Sequence, residues 1–364
     1  MNILVPNLGS TSLKYRILEM PSGLERARGA VERVTDYRSA IASIPFRDHA
    51  VDAVAFKAVH GGPDYCGTYL IDDGVIAALE RFLPAAPAHN AIYLAGIRAF
   101  AEMLPQVPRV AAFETEFHRT IPDFASRYGV PAAWHDAGVR RYGFHGASHQ
   151  YVAETAPSIA GRPLAKLVSC HLGGSSSVCA ISNGRSVDVT MGFSPQSGLE
   201  SASRHGDLDA FAVLAMMQWT RHGAAEIRDQ LSRACGLAAL SGVPGGDLRD
   251  IEAAGTEQAR MALRAFEYQV AKAIGAFTAA MSGLDAIAFT GGIGLNSARL
   301  RAAVCGTLGF LGVELDPHRN AESGDRVVSS RDSKVAVLAM ATNEEIVVAR
   351  RAYALLGGAS ARRA

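Results

Sequence analysis

The sequence has almost no excess of either charge. Its 364 residues include 36 Lys and Arg against 35 Asp and Glu, which gives a formal net charge of +1. Nucleic-acid-binding proteins usually show a basic excess or a basic stripe, so this balance argues against a nucleic acid as partner. The apolar stretch 273–284 is too short to span a bilayer, and the first residues lack the basic region of a signal peptide. We therefore expect a cytoplasmic protein that binds neither nucleic acid nor membrane.

Cysteine is sparse and unpatterned. The five cysteines form no C-x-x-C pair and no framework spacing, which predicts reduced, buried thiols and no disulfide scaffold. The common nucleotide fingerprints are also missing. No G-x-x-x-x-G-K-[ST] occurs, and Gly292-Ile293-Gly294 lacks the third glycine of the dinucleotide motif. These absences exclude a P-loop enzyme and argue against a dinucleotide-binding fold.

The chain has enough apolar residues, 49% of the total, to bury more than one core. Apolar runs alternate with amphipathic stretches, which predicts an α/β fold. We expect strands over 51–59, 110–113, 286–290 and 334–340, and helices over 73–82, 90–103, 207–219, 258–281, 296–308 and 343–356. A hairpin over 3–18, with its turn at 7–12, resembles a later one around 171–177. The residues alone leave open whether this similarity reflects two related domains or chance.

Three glycine- or hydroxyl-rich turns follow apolar strands and could hold phosphate. They are Gly9-Ser10-Thr11-Ser12, Gly173-Gly174-Ser175-Ser176-Ser177 and Thr290-Gly291-Gly292-Ile293-Gly294-Leu295-Asn296. Such turns let successive backbone N–H groups converge on an anion, and the hydroxyls add further donors. Three such turns favour a nucleotide site over purely structural turns.

Ordered motifs along the whole chain resemble those of the acetate kinase family. They include Asn7-Leu8-Gly9-Ser10-Thr11-Ser12, Val59-His60-Gly61-Gly62, Phe113-Glu114-Thr115-Glu116, Tyr142-Gly143-Phe144-His145-Gly146, Ser203-Arg204-His205-Gly206-Asp207 and Thr342-Asn343-Glu344-Glu345. The resemblance implies two duplicated ribonuclease-H-like (actin-like ATPase) domains with a nucleotide in the cleft between them. The implied boundaries are 1–118, completed by a helix over 346–364, and 119–345.

The resemblance also implies a role for single residues. The expected catalytic residues are Arg204, His145, Glu114, Lys57, Asn7 and His89. The expected acyl pocket consists of Val59, Ala88, Phe144 and Pro195. The expected nucleotide-binding residues are Ser10, Ser12, Lys14, His171, Gly173, Gly174, Asp247, Leu248, Arg249, Gly292, Ile293 and Asn296. The expected ligands of Mg²⁺ (or Mn²⁺) are Asn7 and Glu344.

Three of these positions depart from the family pattern. Lys57 stands where the family has an arginine, which keeps the charge but loses the planar fork. Glu114 replaces an aspartate, so the carboxylate sits on a side chain one methylene longer. Ala88 replaces a leucine, which could admit a longer acid.

The resemblance implies reversible phosphoryl transfer from ATP to acetate or propionate, giving acyl phosphate and ADP, in a homodimer. Two alternatives remain open from the sequence. One is a related kinase with a different acid or a different donor such as pyrophosphate. The other is a nucleotide-binding homologue with little catalysis.

Overall fold

Two six-stranded sheets organise the residues that the computed structural model describes, which are 1–9, 11–44, 46 and 49–360 (the side chains of residues 88 and 358–360 excepted). The strands of the first sheet are β1 (Asn2–Leu8), β2 (Ser12–Glu19), β3 (Leu24–Glu32), β4 (Ala53–Ala58), β5 (Thr68–Leu70) and β6 (Arg109–Phe113). Those of the second are β7 (Lys166–His171), β8 (Ser177–Ser182), β9 (Arg185–Val189), β10 (Ala286–Thr290), β11 (Arg326–Val327) and β12 (Ala336–Ala339).

Helices cover both sheets and connect their strands. Up to the second sheet they are α1 (Tyr37–Ala42), α2 (Asp73–Arg81), α3 (Pro87–Met103), α4 (Asp123–Ser126), α5 (Ala132–Asp136) and α6 (Gly146–Ala160). Beyond β9 they are α7 (Ala210–Thr220), α8 (Ala224–Arg233), α9 (Gly236–Ser241), α10 (Leu248–Ala254), α11 (Glu257–Ala280), α12 (Gly291–Asn296), α13 (Ala298–Gly306), α14 (Pro317–Ala321) and α15 (Glu344–Ser360). Short 3₁₀ helices lie at Glu116–Thr120, Pro244–Gly246 and Gly309–Leu311. Within these described residues no helix combines the length and apolarity needed to cross a bilayer.

The two sheets have the same topology. The first runs β3-β2-β1-β4-β6-β5, and the second, read from the matching edge, runs β9-β8-β7-β10-β12-β11. In each sheet the opening hairpin is antiparallel, the three central strands are parallel and the last edge strand is antiparallel. Even a register shift recurs, between Ile17 and Leu18 in one hairpin and between Ala180 and Ile181 in the other. The two domains suggested by the repeated hairpin are therefore confirmed as similar units.

Central strands are buried on both faces because helices cover each side of the sheet. Every residue of β10 is buried, and β1 buries a continuous run from Ile3 to Pro6. The C-terminal helix α15 packs on the first sheet, where Val347 and Ala349 share a core cluster with Ile3. The long helix α11 packs on the second sheet through residues such as Phe266.

The predicted helix over 296–308 is wrong at its start. The glycine-rich segment from Gly291 already forms the short helix α12, and a break at Ser297 separates it from α13. Gly291 permits this because its φ is +77° and an added Cβ would lie 2.5 Å from the Leu172 carbonyl oxygen. Ile293 N and Gly294 N both donate to that same carbonyl, at 2.9 and 3.1 Å. The third expected phosphate loop is thus a helix start pinned against β7.

The parallel strands end at one edge of each sheet, and several of the expected site residues lie there. Asn7, Lys57 and Glu114 lie at or just after the ends of β1, β4 and β6, and His171 ends β7. In open α/β sheets ligands bind beyond the carboxyl ends of the strands. This edge is therefore where a site is expected.

Candidate active site

One lysine and two glutamates form a charged cluster at the end of the first sheet. The Lys57 ammonium donates to Glu344 Oε2 and lies 3.7 Å from Glu114 Oε1. Glu114 follows β6 and is 4% exposed, while Glu344 is the first residue of α15. The contact between Lys57 and Glu344 joins residues 287 positions apart. The cluster thus joins the first sheet to the start of the C-terminal helix.

Burial and charge shift the pKa values of all three groups. Burial raises the pKa of Glu114 to about 7, partly opposed by Lys57 and reinforced by Glu344. Burial would lower the pKa of Lys57, but the two carboxylates outweigh it and raise that pKa well above its usual range. Burial also opposes ionisation of Glu344, yet the Lys57 ammonium lowers its pKa. Lys57 and Glu344 are therefore charged at neutral pH, and Glu114 titrates near it.

The Glu114 carboxylate has no hydrogen-bond partner for either of its buried oxygens among the described residues. An unpartnered buried polar group is costly, and it marks a place where a ligand or ion completes the structure. Hard carboxylate oxygens are the donors that Mg²⁺ prefers. The described residues contain no group of three His, Cys, Asp or Glu side chains that could hold a metal ion by themselves. Glu114 and Glu344 therefore fit a Mg²⁺ ion whose remaining ligands would come from phosphate oxygens and water.

Arg204 enters the site from the second half of the chain. Its Nη2 donates to His89 Nε2 at 3.0 Å, and its Nη1 donates to Pro195 O at 3.2 Å and to Ser175 Oγ at 2.5 Å. All three partners are neutral. Burial lowers the pKa of Arg204 to about 10, so the guanidinium stays charged at neutral pH. Its three neutral partners thus fix the position of the Arg204 guanidinium, which can bind an anionic ligand.

Two histidines stack beside the charged cluster. The His145 and His171 rings are 4.2 Å apart between centroids and 29° from parallel. His171 Nδ1 lies 2.7 Å from Ser148 Oγ, and His145 Nδ1 lies 2.9 Å from Ser177 Oγ. His145 adopts a left-handed backbone conformation, φ 58°, as the N-cap of α6. Such strain in a non-glycine residue is typical of functional sites.

The next residue explains how α6 can begin so close to Glu114. Gly146 N donates to the Glu114 carbonyl oxygen at 3.1 Å. A Cβ at this position would lie 2.0 Å from that oxygen. The glycine therefore lets the start of α6, and with it His145, approach the end of β6.

A cavity of about 620 Å³ opens in the second half of the chain. Its lining includes eight of the expected nucleotide-binding residues, namely Gly173, Gly174, Asp247, Leu248, Arg249, Gly292, Ile293 and Asn296. An added Cβ at Gly174 or Gly292 would meet nothing within 4 Å, so both backbones face open space. Its volume lies in the range of small-molecule and cofactor sites.

The first hairpin is less closely joined to this cavity. Asn7 and Lys14 lie opposite each other in the β1–β2 register and are exposed, whereas Ser12 is half-buried. The described residues that line the 620 Å³ cavity all come from the second half of the chain, so Ser12 and Lys14 do not contribute to it. Ser10, expected in the same loop, lies outside the described residues.

The expected acyl pocket is apolar and buried. Val59 and Phe144 belong to one hydrophobic cluster, and buried Pro195 contacts Arg204 through its carbonyl oxygen. His60 contributes an aromatic wall, with ring centroids 5.5 Å from Phe144. Ala88 belongs to α3, next to His89, but its side chain lies outside the described residues.

Sequence reasoning missed several polar residues around these groups. Ser175 binds Arg204, and His149 lies in a buried hydrogen-bonded chain with Ser169 and Ser177. The serine cluster in the second glycine-rich turn was a visible signal, but its partners could not be read from it. His149 carried only the weak signal of i, i+4 spacing from His145.

The duplicated sheets, the cavity in the second half of the chain and the cations Lys57 and Arg204 are the arrangement of a phosphotransferase. The fold is that of the acetate and sugar kinase, heat-shock protein and actin superfamily. A family model described as the acetokinase family matches residues 38–350. The chain is 39% identical to an acetate kinase from Carboxydothermus hydrogenoformans, over 98% of this chain and 99% of that protein.

Solved structures agree with these matches. An acetate kinase from Porphyromonas gingivalis superposes with a TM-score of 0.86 at 34% identity, covering 98% of this chain and 99% of that one. A propionate kinase from Francisella tularensis superposes with a TM-score of 0.89 at 29% identity, covering 96% and 98%. The chain belongs to the acetokinase family. It is an acetate-kinase-like phosphotransferase with a carboxyl group as acceptor, in a family that uses ATP and ADP, generally with Mg²⁺.

Proposed function

We propose that the protein transfers the γ-phosphoryl group of ATP to the carboxylate of acetate or propionate, reversibly and by direct in-line displacement. One observation carries this proposal. Arg204, from the second half of the chain, donates to His89 Nε2 at 3.0 Å, and Lys57, from the first half, contributes after burial and Arg204 to the lowered pKa of His89. Two cations from different halves therefore border one space, as a reaction between two anions requires.

The reaction needs positioning more than acid–base chemistry. A carboxylate oxygen attacks the γ-phosphorus, the bond to the β,γ-bridging oxygen breaks, and ADP leaves with that oxygen's negative charge. The carboxylate is already ionised at neutral pH, so no general base removes a proton. Arg204 holds the acid and the transferred phosphoryl group, Lys57 neutralises charge on the same side, and a His145 N–H donates to the phosphoryl oxygens.

His89 supports this arrangement as a neutral partner. Because Arg204 donates to Nε2, that nitrogen must accept, which places the His89 proton on Nδ1. Burial, followed by Arg204 and Lys57, lowers the pKa of His89 to about 4. His89 therefore orients Arg204 without competing for the phosphoryl group.

Glu344 and Asn7 are the residues that would hold Mg²⁺, and Glu114 lies near Glu344 because both carboxylates face Lys57. When bound, the ion would neutralise phosphate charge. On the protein side, Glu114 supplies two buried oxygens that have no hydrogen-bond partner among the described residues, and Lys57 keeps Glu344 ionised.

A nucleotide is a better fit to the site than pyrophosphate as donor. Pyrophosphate lacks an adenosine, so it would leave the 620 Å³ cavity beyond Gly173 and Gly174 unfilled. In this proposal Asp247, Leu248 and Arg249 face the adenosine from one side, and Gly292, Ile293 and Asn296 from the other. His171, Ser12, Lys14 and Ser10 belong to the phosphate end.

Acetate and propionate are the acids we propose. Val59, Phe144 and Pro195 provide an apolar wall, and the arginine that would hold the carboxylate contacts Pro195 directly. Solved relatives of similar fold include both an acetate kinase and a propionate kinase. The wall itself does not choose between one methylene more or less, which is worth only about 1–3 kcal/mol in such pockets.

The test is ATP-dependent hydroxamate formation with acetate, propionate and butyrate, repeated with pyrophosphate as donor. We expect turnover with ATP and one of the two shorter acids, and a loss of roughly 10³-fold or more in kcat for Arg204→Ala. Arg185→Ala, an exposed arginine on β9, is the matched control and should retain full activity. Turnover with pyrophosphate and none with ATP would show that pyrophosphate is the phosphoryl donor. ATP binding without transfer to any acid would show that the protein only binds nucleotide.

We also propose that the protein is cytoplasmic and that it has two domains, with boundaries at 1–118 and 119–345. The first is completed by the C-terminal helix that begins near residue 346. Support comes from the packing of α15 against β1 and β4 in one core cluster.

A homodimer is proposed from the surface of the second domain. Helix α7 has the sequence AFAVLAMMQWT, yet none of its residues is buried, and Phe211 and Trp219 are 78% and 75% exposed. Monomers rarely expose so continuous an apolar surface. Sedimentation should show a dimer that Trp219→Asp dissociates, whereas Trp134→Asp, an exposed tryptophan outside α7, should leave it intact. A monomer in the unmodified protein would contradict the proposal.

A further inference from the structure

A chain of hydrogen bonds runs from the interior of the second domain to His145. Ser169 Oγ lies 2.8 Å from His149 Nδ1, His149 Nε2 lies 2.8 Å from Ser177 Oγ, and Ser177 Oγ lies 2.9 Å from His145 Nδ1. Ser169, His149 and Ser177 are fully buried, whereas His145 is half-buried. The chain thus begins in the core and ends at the candidate active site.

Local structure explains why the four side chains meet. Ser169 and Ser177 lie on the paired strands β7 and β8, where Ser177 is opposite His171 and Ser169 is opposite Cys179. Side chains two residues apart on a strand share a face, so both serines point to the same side of the sheet. His145 and His149 are one turn apart at the start of α6, which packs on β7.

Each link holds one hydrogen, so the whole chain has a direction. In the outward direction Ser169 donates to His149 Nδ1, His149 Nε2 donates to Ser177, and Ser177 donates to His145 Nδ1. His145 then carries its proton on Nε2. In the inward direction every donor and acceptor is exchanged, and His145 carries its proton on Nδ1.

The structure favours the outward direction. In the inward direction the Ser169 hydroxyl hydrogen would need another acceptor, and within the described residues Ser169 Oγ bonds only to His149. If the His145 and His149 rings both donated to Ser177 Oγ, the Ser177 hydroxyl hydrogen would likewise have no acceptor among these partners. A buried donor without a partner disfavours a state by roughly 10- to 100-fold. Burial, followed by the neighbouring histidines, holds the pKa values of His145 and His149 well below their usual range, so both rings are neutral.

The direction matters because phosphoryl oxygens only accept hydrogen bonds. A His145 ring with its proton on Nδ1 would present a lone pair from Nε2, which repels a phosphoryl group. A ring with its proton on Nε2 presents a donor. In the described protein Nε2 is the His145 nitrogen without a hydrogen-bond partner, and it is the one left to meet a ligand.

We infer that Ser169, His149 and Ser177 are positioning residues that fix His145 as its Nε2–H tautomer, ready to donate to the phosphoryl group. The use of this donor rests on the proposed function, but the tautomer itself does not. None of the three residues touches substrate in this arrangement, because each acts through the next.

The test is ¹⁵N NMR of protein labelled in histidine, with His145 assigned by comparison with His145→Gln. In the unmodified protein both His145 and His149 should show a protonated Nε2 and an unprotonated Nδ1. A protonated Nδ1 on His145 would overturn the inference, whatever the catalytic activity. If the tautomer is as expected but no phosphoryl transfer occurs with any acid, the proposed function fails and the inference about the tautomer stands.

Variants test whether the chain supports catalysis. Ser177→Ala should lower kcat roughly 10- to 100-fold with little change in KM for ATP, because an oriented hydrogen bond to a charged group is lost. Ser177→Thr keeps the hydroxyl and should restore most of the rate. Ser186→Ala is the control, since its hydroxyl bonds His118 at 2.8 Å in the same buried way but lies outside the chain. Equal losses in Ser177→Ala and Ser186→Ala would reduce the chain to a packing role and contradict the inference. If Ser177→Ala does not fold, the NMR result on the unmodified protein still decides.

Discussion

Glu114 should make the protein lose stability as the pH rises, and Glu114→Gln should remove that loss. Burial raises the pKa of this carboxyl from 4.5 to about 7. In the unfolded chain Glu114 ionises near 4.5, so between these two values the folded state binds more protons than the unfolded state. The free energy of unfolding therefore falls as the pH rises from 4.5 through 7 and levels off above it.

The size of the effect follows from the shift. One pKa unit corresponds to about 1.4 kcal/mol, so the shift from 4.5 to about 7 makes ionised Glu114 destabilise the folded state by about 3 kcal/mol at pH 8. Glutamine has nearly the shape of the protonated acid and cannot ionise. The stability difference between Glu114→Gln and the unmodified protein should therefore grow by about 2.5 kcal/mol from pH 5 to pH 8.

The assay is urea denaturation at pH 5, 6, 7 and 8 for both proteins. Glu80→Gln is the control, because it removes an exposed carboxylate that pairs with Arg98 on the surface. The gap between the unmodified protein and Glu114→Gln should widen with pH, while the gap to the control should stay constant. Parallel pH profiles for all three proteins would refute the assignment of a buried, strained charge to Glu114. The same variant should lose activity, since the proposed site needs the carboxylate.

Three further predictions follow from the structure and the sequence. Arg301 is 1% exposed, and its guanidinium donates to the carbonyl oxygens of Gly294 and Leu295 in α12, at 2.8 and 2.7 Å. Arg301→Met should therefore lower the thermal midpoint and weaken ATP binding, measured by calorimetry. An unchanged affinity would show that α12 does not need this support. Lys57→Arg and Glu114→Asp should each lower kcat/KM, whereas the double variant should recover part of it through a coupling of about 1–3 kcal/mol; strictly additive losses would show that the two departures are independent. Ala88→Leu should lower kcat/KM for butyrate more than for acetate, by roughly tenfold or more per excluded methylene; equal effects on both acids in the hydroxamate assay would remove this residue from the acyl pocket.

The regular elements were predictable where burial leaves a clear pattern. β10 is buried at every position, and α11 has a long apolar face, so both were found with nearly their true bounds. β3 was missed because it is an edge strand with mostly exposed residues, such as Glu25 and Arg26, and has no continuous apolar run. α12 was taken for a loop because its glycines favour turns, and its helical form depends on hydrogen bonds to Leu172 and from Arg301.

The candidate site was predictable from motifs and not from local patterns. Spacing alone could not bring Lys57 to Glu344 or Arg204 to His89, because these contacts join residues 287 and 115 positions apart. Such contacts depend on how two domains close around one edge, which is a property of the whole fold. The resemblance to a family supplied that information, and the residue roles came with it.

Other features were beyond both kinds of reasoning. The chain from Ser169 to His145 depends on distances of 2.8 and 2.9 Å between strands and a helix. Both buried Glu114 carboxylate oxygens lack a hydrogen-bond donor among the described residues, and this depends on the positions of all the surrounding groups. Neither a periodicity nor a motif reports quantities of this kind.

The most direct test of the proposed function is ³¹P NMR of the purified protein with ATP, Mg²⁺ and either acetate or propionate. The proposal predicts an acyl phosphate resonance that grows in step with ADP, one for one, and that reverses when ADP and acyl phosphate are supplied. Release of inorganic phosphate without acyl phosphate, or no change in ATP with either acid, would contradict the central claim.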